Sequence, residues 1–294
     1  MVQAIEPSGA AVLHNSDDYY PLFDAVPALR RTLPRIALGA WPTPATPLTR
    51  FGGALNLPQL WIKRDDASDP VAGGNKLRGL ELLLADAIAR GFKSILTLGA
   101  AGSFHVRATA AAADRLGLRT FAVLTHQPRS AYVRRNLTIA HAAGAQLRAA
   151  WIPALPIQIA RSWLDAVRAE RGRPYLIPPG GSSPLAGLSF INAAFELRRQ
   201  IDAGALPEPK WLFVPLGSLG TAAGLALGCR LAGLKTRVVG IVVFSRWYCT
   251  RGRWARMANR MNRLLSRRGE MPRAADIRAT DLTVIADALG RGYA

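Results

Sequence analysis

The chain is predicted to be an α/β protein with parallel sheets flanked by helices on both faces. Three observations predict this. Short β-type runs alternate with amphipathic stretches along most of the sequence. Half of the residues are apolar and 19% are charged, the balance of a packed interior rather than a disordered chain. Three glycine-containing loops fall where a strand-like run hands over to a helical one, the position at which ligands bind in folds of this class. A length of 294 residues suits one large unit or two coupled subdomains.

Residues 1–30 read as an irregular arm, and 33–48 (LPRIALGAWPTPATPL) as an extended segment punctuated by proline. Strand-like runs follow at 60–63, 94–98, 120–124, 146–151, 211–216 and 238–243. Helical periodicity occupies 76–90, 104–117, 130–143, 157–171, 185–203, 220–233 and 251–267. In the first of these helices Leu77, Leu80, Leu83, Leu84, Ala87 and Ile88 share one face, and Gly91 stops it. Residues 175–184 (YLIPPGGSSP) are the richest cluster of breakers and read as a crossing between domains.

From Trp211 to Cys229 there is no charge, and Gly220, Gly224 and Gly228 have the spacing of a membrane-helix pairing motif. The stretch nevertheless opens as a strand and is broken by Pro215 and Gly217. It therefore reads as a strand, a tight loop and a short helix of small residues, not as a membrane span.

The formal net charge is +19. Its densest segment runs from Arg246 to Arg273, opposed only by Glu270, with Trp254, Met257, Met261, Leu264 and Leu265 forming an apolar stripe. This describes an outer helix with a basic solvent face. No helix-turn-helix, zinc or RNA-binding signature accompanies it, so nucleic acid is the minority reading of the charge. Cys229 and Cys249 are the only cysteines and lack metal-ligand spacing, so no metal is expected. The cysteine count suits a reducing cytoplasm, and the N-terminus lacks the basic start and apolar core of a secretory signal.

The first loop is Gly73-Gly74-Asn75-Lys76, at the start of the 76–90 helix. An amine there meets the positive end of the helix dipole, and burial also favours its neutral form. A neutral lysine condenses with aldehydes or abstracts protons, whereas the plain alternative is a surface lysine at a helix start. Together with Arg64-Asp65-Asp66, the run Gly-Gly-Asn-Lys-x-Arg-x-Leu-Glu resembles the lysine segment of fold-type II pyridoxal-phosphate enzymes, the tryptophan synthase β-like group. Within that group it is similar to the 1-aminocyclopropane-1-carboxylate deaminase / D-cysteine desulfhydrase family, from about Pro21 to the C-terminus. The resemblance implies that Lys76 forms the Schiff base with pyridoxal 5′-phosphate and that Asn75 hydrogen-bonds the cofactor's 3′-oxygen. Gly79 stands where the family has a basic residue.

The second loop, Gly102-Ser103-Phe104-His105, lies between a strand and a helix. Backbone donors at the helix start could bind a substrate carboxylate; the plain alternative is Ser103 as an N-cap and His105 as a satisfied surface residue. The family usually has Gln-Ser-Asn-His here, which implies substrate binding through Ser103, Phe104 and His105, with no amide from Phe104.

The third loop, Gly217-Ser218-Leu219-Gly220-Thr221, offers backbone N–H groups and hydroxyls to a phosphate; the plain alternative is a close-packed turn. It resembles the family's Gly-Ser-Gly-Gly-Thr phosphate cup with Leu219 in place of the middle glycine. A leucine there is strained if the position requires positive φ.

The resemblance implies a larger cofactor domain formed by 1–72 and 185–294, with a smaller domain, 73–184, inserted into it. It also implies a lyase or hydrolase acting on a small amino acid: D-cysteine-like β-elimination to a keto acid and ammonia, or ring-opening deamination. Lys76 would carry the proton, and ring opening would add Ser103 or Tyr293. Related proteins are commonly homodimers. Leu289-Gly-Arg-Gly-Tyr293-Ala294 resembles the family's Gly-x-Gly-Tyr-Gly segment, after which relatives continue, so the C-terminus is expected to be truncated and a sheet face exposed. Two alternatives remain from the sequence: a catalytically degenerate cofactor-binding member and a basic polyanion-binding protein.

Overall fold

A computed structural model describes residues 19–289. The chain begins with two short helices, α1 (Pro21–Ala25) and α2 (Leu29–Thr32), then β1 (Ala45–Pro47), α3 (Thr49–Ala54) and β2 (Trp61–Lys63). Next come α4 (Asn75–Ala89), β3 (Ser94–Ala100), α5 (Phe104–Asp114), β4 (Arg119–Thr125), α6 (Ala131–Ala142), β5 (Gln146–Ala150), α7 (Leu155–Glu170) and β6 (Tyr175–Ile177). The remainder is α8 (Pro184–Asp202), β7 (Trp211–Leu216), α9 (Gly220–Leu231), β8 (Arg237–Val242), α10 (Arg251–Arg268) and β9 (Thr283–Ile285).

The strands form two parallel sheets, in the orders β5-β4-β3-β6 and β7-β8-β9, and one antiparallel pair, β1-β2. The predicted α/β class is thus the observed one. Each parallel sheet has its own core. Around the first, Leu77, Leu80 and Leu84 of α4 pack with Ile95 of β3, Ala108 of α5 and Ile177 of β6. Around the second, Leu216, Val242, Ile191, Leu227 and Trp254 join one face of the sheet to α8, α9 and α10. Burial of each such leucine contributes about 1.5–3 kcal/mol, so α4 is held by its apolar face and not by propensity alone.

Glycines allow two of the closest approaches. A Cβ on Gly240 would lie 2.9 Å from the Trp254 ring, so α10 rests directly on β8. Gly224 and Gly228 would meet the Gly187 carbonyl oxygen at 2.5 Å and Ala194 Cβ at 2.7 Å, which locks α9 onto α8. The glycine spacing that imitates a membrane motif is therefore a packing seam. Among the described residues no helix is long and apolar enough to cross a membrane.

The structure corrects the sequence reading in several places. The described part of the expected arm is helical and buried: Leu22, Phe23 and Leu29 belong to the second core, and Leu22 N–H donates to Asn192 Oδ1 at 2.9 Å. Strands β1, β6 and β9 fall outside the predicted runs. The other face of the β7-β8-β9 sheet carries Trp211 and Phe213, which are 39% and 59% exposed, with Ile285 at 38%.

Candidate active site

Helix α4 starts at Asn75 because Gly74, its N-cap, has φ 143°. A side chain there would also collide with Phe104, since a Cβ would lie 2.4 Å from the ring. Gly74 thus lets the lysine loop pass against the first turn of α5, while Gly73 lets the loop fold back on the Asp66 and Asp69 carbonyls. Lys76 occupies the first turn of α4, half-buried, and desolvation pushes its pKa down to about 8. Gly79, on the same helix, faces Ala186, where a Cβ would be 3.1 Å from the alanine methyl. Its lack of a side chain lets α4 lie against the start of α8.

A buried charge network fixes this helix. The Arg78 guanidinium donates to Asp65 at 2.7 and 2.9 Å, to Glu196 at 2.9 and 3.0 Å, and to Thr43 Oγ1 at 3.2 Å. It also lies 4.0 Å from the centroid of the Trp41 ring. Lys63 adds a second cation to Glu196. Burial alone would raise the Glu196 pKa, but Arg78 and Lys63 outweigh it and hold the carboxyl below its ordinary value. Burial lowers the Lys63 pKa despite Glu196. Two residues beyond Lys76, α4 is therefore tied to α8 and to the strap carrying Thr43.

The Gly217–Thr221 loop meets the lysine loop at Thr221, whose Oγ1 accepts from the Asn75 amide at 3.2 Å. Leu219 is the N-cap of α9 with φ 69° and ψ −25°, a left-handed leucine whose side chain is 4% exposed. The substitution for glycine therefore carries the backbone strain considered in the sequence reading. The first N–H groups of α9 have no carbonyl one turn behind them, as at any helix start, and are oriented to receive an anion. Gly217 has room for a Cβ, with its nearest contacts at 3.9 Å.

The 175–184 segment, read in sequence as a crossing, completes the site. Gly180 has φ 67°, and a Cβ there would lie 2.9 Å from Ser218 Oγ and 3.6 Å from Lys76 Nζ. A Cβ on Gly220 would lie 2.7 Å from Ser182 Oγ, and that hydroxyl donates to the Ser218 carbonyl. Lys76, Gly180, Ser182, Ser218 and Thr221 line one pocket. The signal that could have found Gly180 and Ser182 is the Gly-Gly-Ser-Ser run itself, a backbone free to adopt positive φ beside hydroxyls.

The substrate-loop residues separate. Ser103 is the N-cap of α5, accepting from Val106 N–H at 3.3 Å. Phe104 packs against Gly74, with the Arg107 guanidinium 4.5 Å from its ring centroid. His105 is buried and not at the surface: Nε2 is 3.1 Å from Thr97 Oγ1, and burial followed by the nearby Lys76 charge lowers its pKa to about 3. Its ring is neutral and supports the loop from beneath. Tyr293 lies outside the described residues.

These features suit a phosphate-bearing aldehyde. A desolvated amine stands at one end of the pocket, a helix start flanked by hydroxyls at the other, and glycines occur where side chains would fill the space. Comparison with known proteins agrees. The model of the family described as "Pyridoxal-phosphate dependent enzyme" matches residues 36–264. The chain is 40% identical over 214 residues to nocardicin C-9′ epimerase of Nocardia uniformis subsp. tsuyamanensis, covering 72% of this chain and 64% of that protein. It is 35% identical over 214 residues to D-cysteine desulfhydrase of Serratia proteamaculans, covering 71% and 64% respectively. The chain thus spans just under two thirds of these relatives. A crystal structure of an ACC deaminase homologue superposes with a TM-score of 0.71 at 28% identity, covering 90% of this chain and 76% of that one.

Proposed function

The chain belongs to the pyridoxal-phosphate-dependent enzyme family, and we propose that it acts as a deaminase or lyase on a small amino acid, with D-cysteine-like β-elimination as its reaction. The observation that carries this reading is the convergence of Lys76 with the α9 helix start across Gly180. Lys76, Asn75, Ser218, Leu219, Gly220 and Thr221 would hold the cofactor: the lysine at its aldehyde carbon, Asn75 at the ring oxygen, and the loop at its phosphate. When bound, pyridoxal phosphate supplies an electron sink for charge developing at the substrate α-carbon.

The chain's own groups supply the rest. With a pKa of about 8, Lys76 Nζ exchanges protons at the α-carbon near neutral pH. Ser103 Oγ accepts from Val106 N–H as the cap of α5, which leaves its O–H to donate to a substrate carboxylate beside the backbone N–H groups of that helix start. Phe104 packs against Gly74 at the start of the lysine helix. Neutral His105 keeps a second positive charge away from Lys76. Loss of the β-substituent and hydrolysis would release a keto acid and ammonia. The proposed domains are 1–72 with 185–294, and 73–184. A homodimer in a reducing cytoplasm is the proposed setting, consistent with two buried free cysteines.

A second reading, epimerisation at the α-carbon, is favoured by the 40% identity to an epimerase. Both readings begin with the same proton removal. The test is the near-ultraviolet spectrum of the protein with added pyridoxal phosphate, beside Lys76→Ala, followed by D-cysteine turnover in deuterated water. A cofactor band lost in the variant, with keto acid released, supports elimination. Deuterium at an inverted α-carbon without keto acid supports epimerisation. No band in folded wild-type protein refutes both.

A further inference from the structure

Helix α10 spans 18 residues and turns its apolar side inward: Trp254 and Met261 are 0% exposed and Leu265 is 1%, with Met257 and Leu264 partly buried. Its outer side carries Arg253, Arg256, Arg260, Arg263 and Arg267, all exposed and separated alternately by three and four positions. That spacing keeps them on one line along the helix, over about 21 Å at 1.5 Å per residue. Among the described residues none of the five has a carboxylate partner. The nearby acid, Glu270, is paired with Arg31. Elsewhere on this surface exposed arginines do find acids, as Arg198 finds Asp202 and Arg230 finds Asp281. The row of unpaired guanidiniums is a distinct feature of α10.

At the head of this row, the loop between β8 and α10 presents aromatic rings. Trp247 is 92% exposed, Phe244 57% and Tyr248 37%, and the Arg253 guanidinium lies 5.0 Å from the Tyr248 ring centroid. We propose that this face of α10, with Trp247 and Tyr248, is a docking surface for single-stranded nucleic acid. Guanidiniums match phosphate oxygens with paired hydrogen bonds, and a regular row of them follows a backbone. Exposed rings at its end stack unpaired bases, which a duplex would not release. A lipid surface fits less well, because an interfacial helix buries its apolar side in the bilayer and that side of α10 is already in the core. The five arginines are not among the residues that line the Lys76 pocket, while Phe244 at the head of the row adjoins Gly217 of the α9 loop, where a Cβ would lie 3.9 Å from it.

The experiment uses the whole chain loaded with pyridoxal phosphate and a fluorescein-labelled single-stranded RNA, followed by anisotropy across a salt series. Five phosphate contacts predict affinity falling on the order of 100-fold between about 50 and 200 mM salt. The triple variant Arg256→Glu, Arg260→Glu, Arg263→Glu should lose binding on the order of 100-fold at low salt, with its circular dichroism and melting temperature unchanged. Trp247→Ala should weaken binding about 10-fold without altering the salt slope. Lys76→Ala should bind as wild type does. Binding that survives the triple variant overturns the proposal, as does no binding at low salt. Preferential capture by phosphatidylserine-containing vesicles, uncompeted by RNA, assigns the face to membranes instead and also overturns it.

Discussion

Replacing Glu196 with glutamine tests whether the buried network, not apolar packing alone, holds the lysine helix. The carboxylate is fully buried and accepts from Arg78 at 2.9 and 3.0 Å, from Thr43 N–H at 3.1 Å, and from Lys63. Asp65 and Glu196 balance Arg78 and Lys63, so glutamine leaves one uncompensated positive charge and turns an amide donor toward a guanidinium. Removing one partner of a buried pair costs about 3–5 kcal/mol. Urea unfolding should show that loss at pH 7, and adding Lys63→Met should recover about 0.5–3 kcal/mol of it by removing the surplus cation. The acid dependence follows from the lowered Glu196 pKa. Its stabilisation is fully present above the unfolded value of 4.5 and is lost as pH falls through the lower folded value, so wild type and variant should converge in strong acid. A loss below about 1 kcal/mol at neutral pH, or no recovery in the double variant, would show that the charges contribute little beyond packing.

Three further outcomes are expected. Gly180→Ala places a methyl 2.9 Å from Ser218 Oγ at φ 67°; it should lose about 1–2 kcal/mol by urea unfolding and weaken pyridoxal-phosphate uptake measured by absorbance. Leu219→Ala and Leu219→Gly should destabilise equally, or glycine less, in parallel urea titrations. Glycine relieves about 1–2 kcal/mol of left-handed strain, which offsets its ordinary disadvantage of about 1 kcal/mol. The rate of aldehyde capture by Lys76, followed by stopped-flow absorbance, should rise through pH 8 and not 10.5, because the neutral amine reacts and burial lowers its pKa to about 8.

Elements with a full period of apolar residues were legible. The 76–90 prediction lies one residue from α4, and 211–216 coincides with β7, because their side chains sort into buried and exposed sets. The elements missed were short: β6 and β9 have three residues each, too few for a period, and their strand state comes from pairing with β3 and β8. The first two helices were hidden for the same reason, since Pro21–Ala25 and Leu29–Thr32 span barely a turn and are held by burial. In the site, Lys76 and the Gly217–Thr221 loop could be read from helix starts and glycine. Gly180 and Ser182 had only the Gly-Gly-Ser-Ser run as a local signal, and it is the tertiary path of the 175–184 segment that carries them to Lys76. The Glu196 network joins residues far apart in sequence and left no local pattern.

The uncovered face of the β7-β8-β9 sheet has a consequence for how the protein behaves in solution. Parallel sheets ordinarily keep both faces from water, yet Trp211, Phe213 and Ile285 meet solvent here. Mutual repulsion, carried by a net charge of +19, opposes the adhesion of copies through these rings. Salt shortens the reach of that repulsion to about 10 Å at 0.1 M and leaves the apolar attraction in place. Light scattering should therefore increase as salt is added at constant protein concentration, and dilute buffer is the condition that keeps the molecule dispersed.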